Sequence, residues 1–256
     1  MHHGVRLESI RPLVRYVDVD QAVIDAHFTT LPAVAGSVSQ PPGRAVDVML
    51  EIDGSDGFHD EGTTRVQLTD HGGSLRFEIV RPQRWWPAGM GPQALYTLSL
   101  TVIEQGLGRA ERSVTFGLTS VRQDRVLGEG FDESLLVNGH ICDIDTVVTV
   151  DRVNANQLLP ANGESLLLVR DHFGPDLLYD AADRAGILLV QCVPIHPEAR
   201  VESAVARQVA RLTSHPSLAG YFVGHWGALS DRVAERLRQI DPTRMVLRRF
   251  PLAQAA

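Results

Sequence analysis

LVRDHFGPDLLYDAADRAGILLVQ, residues 168–191, changes period twice. Its first residues close a short apolar run, Ser165 to Arg170; Asp176 to Ala185 is amphipathic; Gly186 to Gln191 is apolar again. Strand, helix and strand in that order make a βα unit of a parallel sheet. The pattern extends to both sides. Ile141 to Thr149, Leu218 to Val223 and Met245 to Phe250 are further short apolar runs. Glu198 to Leu212 and Ser230 to Ile240 are further amphipathic stretches. In the last of these, Val233, Leu237 and Ile240 fall at i, i+4 and i+7, with Ser230 as candidate N-cap. Right-handed crossovers place such helices outside if the sheet curls into a barrel. A complete eight-fold barrel takes about 200 residues or more, and the chain after Gly139 holds roughly five strands, so the expectation is a partial barrel.

Upstream the chain has another character. From Ile10 to about Arg122 it is short-period, β-branched and punctuated by Gly, Pro and Asp. Pro12–Asp20, Val23–Thr29, Arg44–Ile52, Thr64–Leu68, Ser74–Val80, Ala94–Ile103 and Ser113–Val121 each read as a strand, with a tight turn at His71-Gly72-Gly73. Such a series is the signature of an antiparallel β-sandwich of immunoglobulin type. Val126 to Gly130 reads as a Gly-rich linker, which divides the chain into an immunoglobulin-like sandwich, 1–125, and a partial (β/α) barrel, 126–256.

Composition narrows the classes. The chain has 256 residues, 44% hydrophobic and 21% charged, a globular balance. Its formal charge is -7, from 24 basic and 31 acidic side chains, which argues against nucleic acid or an anionic membrane as partner. All the basic side chains counted there are Arg, with no Lys, a pattern best explained by coding bias. The two cysteines, Cys142 and Cys192, follow apolar runs and read as buried thiols rather than a disulfide framework. No run reaches the ~18 apolar residues of a membrane span. MHHGVRLESIRP carries no apolar core of a secretory signal, so the expected location is cytoplasmic. Neither a G-x-S-x-G elbow nor a Walker phosphate loop occurs, and no cofactor and no metal are expected.

Three stretches carry a resemblance. The first is WWPAGMGPQALYTLSLTV, residues 85–102, followed by Phe116-Gly117-Leu118. The second is LVNG, residues 136–139, with the 168–191 stretch quoted above. The third is HPSLAGYFVGHW, residues 215–226, with IDPTR, residues 240–244. Together, in this order, they resemble glycoside hydrolase family 2, most closely its β-mannosidase-like branch, beside the β-galactosidases and β-glucuronidases. The resemblance implies an immunoglobulin-like domain followed by a TIM barrel, and it covers nearly the whole chain from Ile10 to Phe250. It also implies retaining glycosidase chemistry. One carboxylic acid protonates the leaving oxygen and a second carboxylate, about 5 Å away, attacks the anomeric carbon.

The family's acid/base is the Glu of an Asn-Glu pair ending the fourth barrel strand. Here that pair reads His225-Trp226. An indole N–H is a donor only and cannot exchange a proton with a leaving group. The nucleophile belongs to a strand near the seventh, beyond the roughly five that the pattern supplies. The family's sandwich is normally preceded by a jelly-roll domain, which is not expected among the residues of this sequence.

The substrate-binding candidates are therefore Arg170, Asp171 and His172, after the second barrel strand, with His225 and Trp226 after the fourth. No confident catalytic residue is assigned. Arg170 reads first as a buried structural guanidinium paired with a carboxylate. Asp143, Asp145 and His172 form a weak metal candidate, with solvated carboxylates the better reading. The acidic stretch DGSDGFHDE, residues 53–61, reads as a solvated hairpin loop, and Trp85 and Trp86 as packing between sandwich and barrel.

The expectation is a family-2-like protein of carbohydrate metabolism without hydrolytic activity, a pseudoenzyme serving as a binding or assembly module. Two alternatives stand beside it: an active glycosidase whose carboxylates come from another chain or from non-aligned positions, and a fragment of a larger enzyme. A carbohydrate ligand is the expected small-molecule partner. A five-stranded parallel sheet leaves edges and an apolar inner face, so a homodimer or a separate chain completing the barrel is expected as well. Val169, Leu189, Val223 and Leu247 are expected on the uncovered side, with Trp226 and Phe250 at its rim.

Overall fold

A computed structural model describes residues 5–32, 43–69, 72–104, 108–125, 133–144, 146–151, 165–170, 172–195, 201–224 and 227–248. The first seven strands are β1 (Val5–Val17), β2 (Gln21–Pro32), β3 (Ala45–Gly54), β4 (His59–Gln67), β5 (Gly72–Val80), β6 (Tyr96–Glu104) and β7 (Gly108–Phe116). They form two antiparallel sheets, in the orders β1-β2-β5 and β4-β3-β6-β7. Alternation decides the faces. Val46, Val48, Leu50 and Ile52 of β3 point inward to meet Ile24 and Phe28 of β2, and Leu98 and Leu100 of β6. The β1–β2 turn is set by Asp18, whose Oδ1 accepts the backbone N–H groups of Asp20 and Gln21, both at 2.8 Å.

The turn expected at His71-Gly72-Gly73 differs in detail. Gly72 and Gly73 open β5, and Thr69 and Gly72 exchange backbone hydrogen bonds at 2.7 and 3.4 Å; His71 lies outside the described residues. The expected seventh strand also divides. β7 ends at Phe116, and Val121 starts a strand of a different sheet.

A third sheet follows the two layers. It contains β8 (Val121–Arg125), β9 (Glu133–Val137) and β10 (His140–Cys142), antiparallel in the order β10-β9-β8. Asn138 and Gly139, at φ 52 and 85, make the two-residue turn between β9 and β10, the Asn-Gly pairing that a tight hairpin favours. Ile141 and Cys142, expected to start the barrel, belong here instead. The Val126–Gly130 stretch lies outside the described residues.

Five parallel strands follow: β11 (Thr146–Val150), β12 (Ser165–Val169), β13 (Leu188–Cys192), β14 (Leu218–Phe222) and β15 (Met245–Leu247), neighbours in that order. The helices α1 (Asp176–Ala185), α2 (Val201–Leu212) and α3 (Ala228–Ile240) alternate with β12–β15. The architecture is thus an immunoglobulin-like sandwich followed by a partial barrel. α3 starts at Ala228 and is capped at Gly227; Ser230, the expected cap, is buried within the helix.

The two faces of the parallel sheet are both covered, though not as expected. Val169, Leu189 and Val223 face the helices, packed with Leu178, Val209, Leu212 and Leu237. Leu166, Leu188, Val190, Ala219, Met245 and Leu247 make the opposite face and pack with Trp85, Val121, Leu135 and Val137. All six are buried. Strand phase decides which face each residue takes, because a one-residue shift moves every side chain to the other face. Trp226 and Phe250 lie outside the described residues.

Candidate functional site at the strand ends

The ends of β12, β13 and β14 bring together Arg170, His172, Gln191, Cys192 and Gly224. Arg170 is exposed and its N–H donates to Val150 O at 2.9 Å, holding the strand end to its neighbour. The guanidinium expected to be buried at this position is therefore exposed, and among the described residues it forms no ion pair. His172 is half-buried, and its Nδ1 donates to Arg170 O at 2.7 Å, which fixes the ring beside the strand end.

Beneath them lies a neutral scaffold. Gln191 is fully buried and donates from Nε2 to His172 O at 2.7 Å and to Cys192 O at 2.5 Å. Its Oε1 accepts the hydroxyl of Tyr179, which also accepts the N–H of Gly174 at 3.2 Å. Burial pushes the Tyr179 phenol well above its ordinary pKa, so it remains a hydroxyl donor. Tyr179 reaches Gln191 because α1 presents Leu178, Tyr179, Ala182 and Asp183 as its buried stripe. The loop after β12 is held by this network, and Arg170 and His172 present their side chains from it.

Asp171, His225 and Trp226 lie outside the described residues. Among the described residues, Asp151 is the one carboxylate immediately after a parallel strand. A retaining glycosidase needs two, about 5 Å apart. Asp143 and His172 do not converge into a metal-ligating group, and Asp145 is outside the described residues. Among the described residues, the groups that do converge are Glu51, Asp53 and His59 on the β3–β4 hairpin and Asp180, Asp183 and His215 beneath the barrel. In the hairpin, His59 Nδ1 donates to Asp53 at 2.9 Å, and this hydrogen bond raises the imidazole pKa.

The quoted motifs hold a second, buried network whose roles were not read from the sequence. Asp183 accepts His215 Nδ1 at 2.7 Å and the N–H of Ser217 at 3.0 Å, while its backbone carbonyl accepts Trp85 Nε1 at 2.7 Å. Asp241 is fully buried and accepts the Tyr221 hydroxyl at 2.8 Å. Burial raises the carboxyl pKa of Asp241, with Arg244, Tyr221 and Thr243 opposing it. Arg244 is the buried guanidinium of this half, donating to Thr119 O at 2.8 Å and His215 O at 3.2 Å. Asn138 completes the joint, donating to Trp85 O at 2.9 Å and accepting the N–H of Ser120 at 3.0 Å. Trp85 packs between sandwich and barrel as expected; Trp86 instead lies half-buried beneath Arg84, 5.0 Å from its guanidinium carbon to the ring centre. One sequence signal pointed here. Asp183 follows Tyr179 by four residues on the apolar stripe of its helix, where a carboxylate must find partners.

Comparison with known proteins agrees with this fold. Residues 18–118 match the family model described as glycosyl hydrolases family 2. An exo-beta-D-glucosaminidase from Streptomyces avermitilis is 26% identical over 179 residues, 57% of this chain and 19% of that protein. A beta-mannosidase A from Aspergillus aculeatus is 25% identical over 245 residues, 80% of this chain and 26% of that protein. Among solved structures, the beta-D-mannosidase from Dictyoglomus thermophilum superimposes with a TM-score of 0.69 at 19% identity, over 95% of this chain and 34% of that one. The chain thus spans 19% and 26% of the length of these two curated relatives.

Proposed function

We propose a carbohydrate-binding or assembly role without glycoside hydrolysis of its own for this chain, whose residues 18–118 match the glycosyl hydrolases family 2 model and whose fold is similar to that of the beta-D-mannosidase. One observation carries the reading. At the place that resembles the family's acid/base pair, after β14, the sequence has His225-Trp226. Losing general acid–base assistance lowers a rate by about 10²–10⁴-fold. The described strand ends support the reading, since they offer an exposed guanidinium and a half-buried imidazole, which bind hydroxyl groups without supplying a carboxylate pair.

The test is a panel of chromogenic β-mannosides, β-glucosaminides, β-galactosides and β-glucuronides, incubated with the full chain. No turnover above the buffer rate is expected, and Trp226→Glu alone is expected to leave that result unchanged. Turnover by the unaltered chain that disappears on replacing Asp171 or His225 would overturn the proposal.

The same reading includes association with a second copy or a complementary chain. Among the described strands, β11 pairs with β12 alone and β15 with β14 alone, so each end of the parallel sheet has an unpaired side. The exposed apolar face expected from the sequence no longer supports this idea; the support is in the edges.

A further inference from the structure

We propose that the groove where β1, β2 and β5 meet β4 binds a small polyhydroxylated anion, a sugar carrying a carboxylate or sulfate group. The groove has a volume of about 580 Å³ and is lined wholly by sandwich residues. That size lies in the range of small-molecule sites, roughly 300–1,000 Å³. It is a different place from the barrel strand ends, and neither reading depends on the other.

The lining is one-sided in charge. Arg11, Arg65, Arg76 and His27 contribute to it, together with the hydroxyls of residues such as Thr29 and Ser74, and no carboxylate is present among the described lining residues. Sheet register produces this clustering. Arg11 is opposite His27, and His27 is opposite Ser74, so the three form one row across the sheet. Arg65 comes from β4, the edge strand of the other sheet.

The cations are not all committed. Arg76 is bound to Asp25 through Nε at 2.7 Å and Nη2 at 3.1 Å, and Arg15 holds the same carboxylate at 2.8 Å. Arg11 and Arg65 form no ion pair with any described carboxylate. Arg11 Nε is shut off from solvent and has no hydrogen-bond partner among the described residues. Arg11 and Arg65 line the groove without a described counter-charge, and an oxyanion entering the groove is the group that supplies one. His27, its pKa pushed down chiefly by burial, offers a neutral imidazole for a hydroxyl group. Guanidinium groups for a planar or tetrahedral oxyanion, beside hydroxyls and an imidazole for a polar body, define the ligand class.

The experiment is a calorimetric titration of the full chain at fixed ionic strength with three probes: glucuronate, inorganic sulfate and glucose. Saturable binding of glucuronate is expected, with sulfate weaker and competing for the same site, and glucose not binding. Arg65→Gln and Arg11→Gln should each weaken glucuronate by about tenfold, the loss of one charge-assisted contact. Arg112→Gln, an exposed change on β7, should leave binding unaltered. If Arg11→Gln does not fold, Arg65→Gln on the exposed edge strand decides alone. Absence of saturable glucuronate binding, sulfate binding with glucuronate excluded, equal binding of glucose, or affinity unchanged in the Arg65 variant would each overturn the proposal.

Discussion

Arg244, just before β15, donates through Nη1 to the backbone carbonyl of Thr119, just after β7, at 2.8 Å. This contact joins the parallel sheet to the sandwich exit across 125 positions of sequence. Arg244 also donates to His215 O, and its charge opposes the rise in the carboxyl pKa of Asp241. Replacing Arg244 by Ala leaves the carbonyls of Thr119 and His215 without this donor and removes the charge that favours the ionised Asp241 carboxyl, which keeps its Tyr221 partner. The expected loss is about 3 kcal/mol in urea unfolding, as for losing two buried hydrogen bonds from a charged donor. Asp241→Asn combined with Arg244→Ala should lose less than the sum of the single changes, because the two share one network.

A second outcome concerns pH. Arg76, then Arg15, hold the Asp25 carboxyl pKa down to about 2 against burial. A carboxyl lowered in the folded state contributes stability that is present above its unfolded pKa, about 4, and lost as pH falls toward its folded value. With Arg76 largely exposed, the contribution is on the order of 1 kcal/mol after solvent screening. Asp25→Asn should therefore be less stable than the parent at pH 6, with the gap closing between about pH 4 and 2. A gap that stays constant over that range would contradict the assignment.

Gly72 supplies a steric test with its own control. Its φ is +146, and a Cβ there would lie 1.9 Å from Phe28 O, in the paired strand. Gly72→Ala should lower stability by at least about 3 kcal/mol, or prevent folding. Gly62→Ala, at a position with nothing within 4 Å, should stay within about 0.5 kcal/mol. Thermal melts of the two variants separate a close backbone approach from a general effect of lost glycine.

Much of this fold was legible in the sequence, and the reasons are local. Helix α1 at Asp176–Ala185 matched its expected bounds because a three-to-four residue apolar spacing specifies a face unambiguously. The five parallel strands were legible as short apolar runs, but their facing was not. A run such as LLLV in β12 is apolar at every position, so nothing in it marks which side chains meet the helices. Val169, Leu189 and Val223 were assigned to the wrong face for that reason. The small β8–β9–β10 sheet was missed because its strands are brief and its partners are set by long-range pairing. At the strand ends, Arg170 and His172 were placed correctly after β12, while the buried Gln191 and Tyr179 beneath them were not singled out. Asn138, Asp183, His215 and Arg244 stood within quoted motifs, yet their joint role depends on contacts between distant segments that no spacing reveals.

The unpaired sides of β11 and β15 lead to an expectation about mass in solution. Sedimentation at micromolar concentration should show a dimer or a complex with a complementary chain. A stable, monodisperse monomer would contradict association, with the edges then shielded by other parts of the chain.

The central claim is that carbohydrate is held and not cleaved, and one measurement addresses both halves. Ligand-observed NMR on the full chain, with a manno-oligosaccharide and a chitosan oligosaccharide, reads saturation transfer and product formation in the same sample. Saturation transfer to an intact oligosaccharide, weakened in His172→Ala and without new anomeric signals after prolonged incubation, is the expected result. New reducing-end signals growing with time and protein concentration would contradict the account, and so would the absence of any saturation transfer.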